Sequence, residues 1–85
     1  MEVGTPLKIE WRDISTISEW RDFDDAIKDL EEEDSIRYYS RGFFVRQTNT
    51  HISLTANISF KGDEVDQLAD ITNIPIGCVL TIEVL

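Results

Sequence analysis

The chain has 85 residues, 41% of them hydrophobic, and carries a formal net charge of −9. That length holds one domain whose single core must bury about two-thirds of the unfolded surface. The acidic balance speaks against direct nucleic-acid binding, because phosphate contact supplies most of that affinity. The lone cysteine, Cys78, excludes an intramolecular disulfide and a multi-cysteine zinc site.

Residues 1–6 read as a frayed start and residues 7–85 as the single domain. Leu7, Ile9 and Trp11 alternate with polar neighbours, so residues 7–14 are expected to form a first strand. Residues 15–18 are a polar connection, after which the period changes. Phe23, Ala26, Ile27 and Leu30 fall at i, i+3, i+4 and i+7, the apolar stripe of a short helix. Asp22 is placed as its N-cap, with Asp24 and Asp25 in the first turn, where the dipole favours negative charge. Trp20 is expected to fold back on the stripe as a staple. The acids Glu31, Glu32, Glu33 and Asp34 oppose the dipole, so the helix should end near Leu30 or Glu31.

Residues 35–60 are the centre of the chain: two strands, 35–48 and 51–60, around a turn at Asn49 and Thr50. Ile52, Leu54, Ala56, Ile58 and Phe60 alternate strictly, as a half-buried antiparallel strand does. Gly42 interrupts the first strand and marks a bulge or bend that lets one strand serve two sides of a curved sheet. Residues 61–64 carry a turn signal, and residues 65–74 a weaker strand that uses Ala69, Ile71 and Asn73 or the opposite set. Pro75 lacks a donor, so a 3₁₀-like turn should follow before the closing strand, residues 80–85. The order predicts a mainly β (α+β) protein: a small five-stranded antiparallel SH3-like or Sm-like barrel, with one short helix after the first strand capping an open end.

Trp11-Arg12-Asp13-Ile14, Trp20, Gly42-Phe43-Phe44-Val45, residues 51–56, and residues 74–82 with Leu85 form a pattern over residues 9–85. It resembles small uncharacterised proteins of bacteriophages and phage-like elements. The resemblance implies a phage accessory protein. Some small phage barrels with this kind of fold sequester nucleotide signals of bacterial immunity, and others bind and block host proteins. No site residue follows from it.

No catalytic set is legible. His51, the only histidine, opens a strand beside a turn, and Cys78 reads as a small buried hydrophobe rather than an activated thiolate. The run Glu31 to Asp34 lacks the spacing of an EF-hand loop and reads as a solvated helix end, so neither a metal nor another cofactor is expected. Charge, however, is strongly separated. Residues 19–34 hold nine acids and two bases, whereas residues 35–62 hold Arg37, Arg41, Arg46 and Lys61 and no acid. On strand alternation Arg37, Tyr39 and Arg41 share a face, and beyond the bend Arg46 is read as pointing with Phe44.

Three readings follow, none of them enzymatic. In the first, the acidic helical face (Asp24, Asp25, Asp29, Glu31, Glu32, Glu33) engages a host defence or regulatory protein and antagonises it. In the second, Arg37, Tyr39, Arg41 and Arg46 bind a small anionic (cyclic) nucleotide, at a site shared between subunits of a homo-oligomer. The third is a structural or dimerisation module of a phage particle. Residues 1–20 contain Glu2, Glu10, Asp13 and Glu19 and lack the apolar core of a signal peptide. No apolar run approaches the roughly 20 residues that span a bilayer. The expected location is therefore the cytoplasm, that of the host if the protein is phage-encoded.

Overall fold

The computed structural model describes all 85 residues. In chain order it contains β1 (Pro6–Trp11), α1 (Phe23–Ser35), β2 (Tyr38–Gln47), β3 (His51–Lys61), β4 (Glu64–Pro75), a 3₁₀ turn (Ile76–Cys78) and β5 (Val79–Val84). The strands form one antiparallel sheet in the order β4-β3-β2-β1-β5. The mainly β class, the five strands, the helix after the first strand and the 3₁₀ turn behind Pro75 all follow the sequence reading.

The sheet does not close into a barrel, which corrects that expectation. β4 and β5 are its two edges and share no ladder. The reason lies in how β2 divides itself. Residues 38–43 of β2 pair with β1, and residues 43–47 pair with β3. Beyond Thr55, β3 leaves β2 and continues with β4 alone, as a two-stranded ribbon that carries β4 away from β5. Gly42 sits at the changeover. A Cβ there would lie 2.9 Å from the carbonyl oxygen of Thr55 and 3.2 Å from the Leu54 Cβ, so only glycine lets β2 approach β3 this closely. A bulge follows between Phe44 and Arg46.

The core sits where the two halves of the bent sheet face each other. Leu7 and Ile9 of β1, Phe44 of β2, Ile52 and Leu54 of β3 and Ile74 of β4 are buried together, with Trp11, Ile76 and Val79 against them. The alternation of β3 therefore holds at Ile52 and Leu54 and weakens beyond: on the two-stranded ribbon Ile58 is half-buried, while Ala56 and Phe60 are exposed. In β4 the opposite set prevails: Ile74 enters the core across from Ile52, and Ile71 is exposed. Ser53 and Thr55 are buried too. Ser53 Oγ donates to Asn73 Oδ1 at 2.6 Å, and Thr55 Oγ1 donates to the carbonyls of Asn57 and Ala69 at 2.7 and 2.9 Å. No buried side-chain polar atom lacks a partner. At the other end of the sheet Gly4 and Thr5 extend the pairing through two backbone bonds with Phe44, each 2.8 Å.

The helix departs most from expectation. It begins at Phe23 as predicted, with extended backbone at Asp22, but the Asp22 side chain makes no capping bond. It continues through the acid run to Ser35. Glutamate is a good helix former, and an exposed charge against the dipole costs only about 0.3–1 kcal/mol. The end is also satisfied: Ser35 Oγ donates to the Glu32 carbonyl at 2.6 Å and the Ile36 N–H to that of Glu33 at 3.1 Å. The helix neither caps the sheet nor meets the Trp20 staple. It buries no residue, no strand packs along it, and Trp20 is fully exposed. Only Ile36 and Arg37 separate α1 from β2, and extended backbone at Ile36 carries the helix away from the sheet. The molecule is accordingly 60 × 22 × 21 Å, with a radius of gyration of 16.9 Å, against about 12 Å for a compact chain of this length.

Candidate functional site

Two surfaces carry the charge separation seen in the sequence, and the fold places them apart. The first is the face of the sheet opposite the core. Tyr39 and Arg41 alternate on β2, and the ladder sets them against Glu10 and Lys8 of β1. Lys8 in turn lies opposite Glu83 of β5. The Lys8 ammonium stands 5.2 Å from the centre of the Tyr39 ring, a cation–π distance, and 4.0 Å from Glu83 Oε2. Arg37 Nη1 donates to Glu10 Oε1 at 2.6 Å. That hydrogen bond, with the charge of Glu10 behind it, holds the guanidinium above its ordinary pKa. Arg37 is thus spoken for, whereas Arg41 and Arg46 form no ion pair.

Arg46 is where the strand period misleads. Counted by twos it would point with Phe44, and Phe44 is in the core. The bulge between Phe44 and Arg46 inserts the extra residue, so Arg46 pairs with Ser53, on the face that Thr55 shares with Phe43. Arg46 therefore joins Tyr39, Arg41 and Phe43. The structure brings all four expected residues, Arg37, Tyr39, Arg41 and Arg46, onto one face. It adds Lys8 and Glu10, which the sequence reading missed. Their signal was present as the polar half of the β1 alternation, but what they oppose depends on a register that no single strand states. The face is shallow. The molecule's two depressions lie elsewhere: one of about 190 Å³ over Asn57–Ser59 and Gln67–Ala69 on the ribbon, the other of about 320 Å³ between residues 16–19, Arg21 and Asp29.

The second surface is the projecting arm, residues 12–36. On α1 the stripe of Phe23, Ala26, Ile27 and Leu30 exists as read, but none of it is buried: Phe23 is 77%, Leu30 47% and Ile27 38% exposed, and Ala26 is half-buried. By helical spacing Asp24 and Glu31 run along one side of that stripe, and Asp29 and Glu33 along the other. Glu32 and Asp25 fall on the far side. Arg21 Nη2 pairs with Asp29 Oδ2 at 2.8 Å and ties the connection to the helix. The six acids of the expected interaction surface therefore divide into a rim around an apolar stripe and an outer pair.

His51 Nδ1 lies 2.9 Å from the Thr50 hydroxyl in the β2–β3 turn, where the Thr48 hydroxyl accepts the His51 N–H at 3.1 Å; the ring is part of a turn network. Cys78 is half-buried rather than buried, and its carbonyl accepts the Arg12 N–H at 2.8 Å. No three His, Cys, Asp or Glu side chains converge as metal ligands, and no helix is long and apolar enough to cross a membrane. No protein-family model, curated protein or solved structure matches the chain.

Proposed function

We propose that this is a non-enzymatic binding protein of the bacteriophage accessory kind, which antagonises a host defence or regulatory protein through its arm. One observation carries the reading: α1 displays an apolar stripe rimmed by Asp24, Glu31, Asp29 and Glu33, buries no residue, and has no strand packed along it. An amphipathic helix of this kind seats its apolar side in a groove, and its acidic rim selects a basic border. The sheet serves as the platform that holds the arm out. The test is capture of a host protein by the tagged chain, compared with a variant carrying Asp24→Lys, Glu31→Lys and Glu33→Lys. The reading expects a defined partner that is retained at low salt, released at high salt and not retained by the variant. A partner held equally by both proteins contradicts it.

A second reading, sequestration of an anionic nucleotide, has its own support in the unpaired Arg41 and Arg46 beside the exposed Tyr39 ring. Arginine forks onto phosphate, and a tyrosine ring stacks on a base. The absence of a depression at this face ranks it second, because a nucleotide needs walls that one copy does not supply. The structural role in a phage particle has no feature of its own to support it.

A further inference from the structure

The protein exposes more surface than its mass requires. It has 6507 Å² accessible, against about 5,200 Å² for a folded monomer of 9.8 kDa. The excess of about 1,300 Å² is more than the ~800 Å² that each partner buries in a standard interface. Much of it lies on the arm, where Ile14, Trp20, Phe23 and Leu30 are all exposed. A helix of 13 residues that buries none of them is marginal in water. The arm therefore needs an occupant for its apolar side.

Charge decides which occupant within a homogeneous solution. The 13 residues of α1 hold seven acids and one lysine, so pairing two arms side by side brings like charges together. The exposed strip along β2 has the opposite character. Along β2, Tyr39, Arg41, Phe43 and Arg46 share one face, with Ile71 reached across Thr55. The acids of this face, Glu10 and Glu83, are paired with Arg37 and Lys8, which leaves Arg41 and Arg46 as its unpaired cations. Cations alternate there with apolar side chains, and Tyr39 and Ile71 are 59% and 56% exposed. The strip from residue 39 to residue 46 is about 23 Å long, and α1 is about 20 Å long.

We propose that two copies form a reciprocal dimer in which the α1 arm of each lies along the Tyr39–Arg46 strip of the other. The contact is closed by a two-fold axis, since each copy offers one arm and one strip. It concerns the same arm as the function proposed above, but it requires no host target and would survive the failure of that reading. It also gives the cationic face a role that does not depend on a nucleotide.

The test is sedimentation velocity on the full chain over a range of concentrations. It uses the wild type, a strip variant (Arg41→Glu with Arg46→Glu) and an arm variant (Glu31→Lys with Glu33→Lys), each checked by circular dichroism. All four positions are exposed, so the fold is expected to persist. The wild type should dimerise, with a dissociation constant that rises about tenfold between about 50 and about 500 mM NaCl. Each variant alone should be monomeric. An equimolar mixture of the two should recover the dimer, because each reversed arm then meets a reversed strip. A wild type that is monomeric at every concentration overturns the proposal. So does a dimer that persists in either variant alone, which would place the contact at the sheet edges, and so does a mixture that stays monomeric.

Discussion

Replacing Gly42 by alanine tests the bend on which the whole sheet depends. The new Cβ would stand 2.9 Å from the Thr55 carbonyl oxygen and 3.2 Å from the Leu54 Cβ. Both neighbours belong to β3 close to its own backbone, and Leu54 and Thr55 are buried, so neither can swing aside. Relief must come from β2 and β3 separating. Forcing atoms into a filled site costs about 1–3 kcal/mol. Gly42 is not in the left-handed region, so alanine meets no backbone strain there and recovers about 0.5–1 kcal/mol by restricting the unfolded chain. The balance is a loss of between about 0 and about 2.5 kcal/mol, centred near 1 kcal/mol. With a urea slope near 1 kcal/mol/M for a small domain, the midpoint should fall by on the order of 1 M. Gly77 is the control, since nothing lies within 4 Å of a Cβ built there; Gly77→Ala should leave the midpoint unchanged or raise it slightly. A midpoint for Gly42→Ala raised as much as that of Gly77→Ala would refute the close approach of β2 and β3.

Other substitutions separate the sheet from the arm. Leu54→Ala empties a core position that is 2% exposed and should cost about 2–5 kcal/mol in the same titration. Trp20 is fully exposed and Phe23 mostly so, so under monomeric conditions Trp20→Ala and Phe23→Ser should each move stability by less than about 0.5 kcal/mol. A loss of several kcal/mol at either would mean that the helix packs on its own sheet. For the nucleotide reading, cyclic dinucleotides should raise the melting temperature of the wild type but not of Arg41→Glu with Arg46→Glu; no shift with any nucleotide removes it.

The legible parts of this fold are those governed by local period. Alternation at Leu7, Ile9, Ile52 and Leu54 located the core strands, and the 3.6 spacing from Phe23 to Leu30 located the helix. Pro75 correctly marked the turn before the last strand, because a missing donor is a property of the residue itself. What escaped depends on distant partners. The β-bulge that returns Arg46 to the cationic face has no glycine to announce it; Val45 is an ordinary strand residue. The run from Ala56 to Phe60 alternates perfectly yet lies beyond the reach of β2, so its apolar half stays largely exposed. The amphipathic stripe of α1 states that something apolar is to be covered, not by what. The sheet is the economical partner for so small a chain, but in the structure no strand lies along the helix. The acid run signals a helix stop only if dipole repulsion outweighs helix propensity, and at this exposed terminus the propensity prevails.

The account rests on an arm that owes nothing to its own sheet, and amide hydrogen exchange measures this residue by residue. At about 500 mM NaCl and a concentration below the dimer dissociation constant, residues 52–55 should be protected to the limit set by global unfolding, whereas residues 23–35 exchange at rates near those of an isolated short helix. Protection of residues 23–35 equal to that of β3 in the monomer would contradict it.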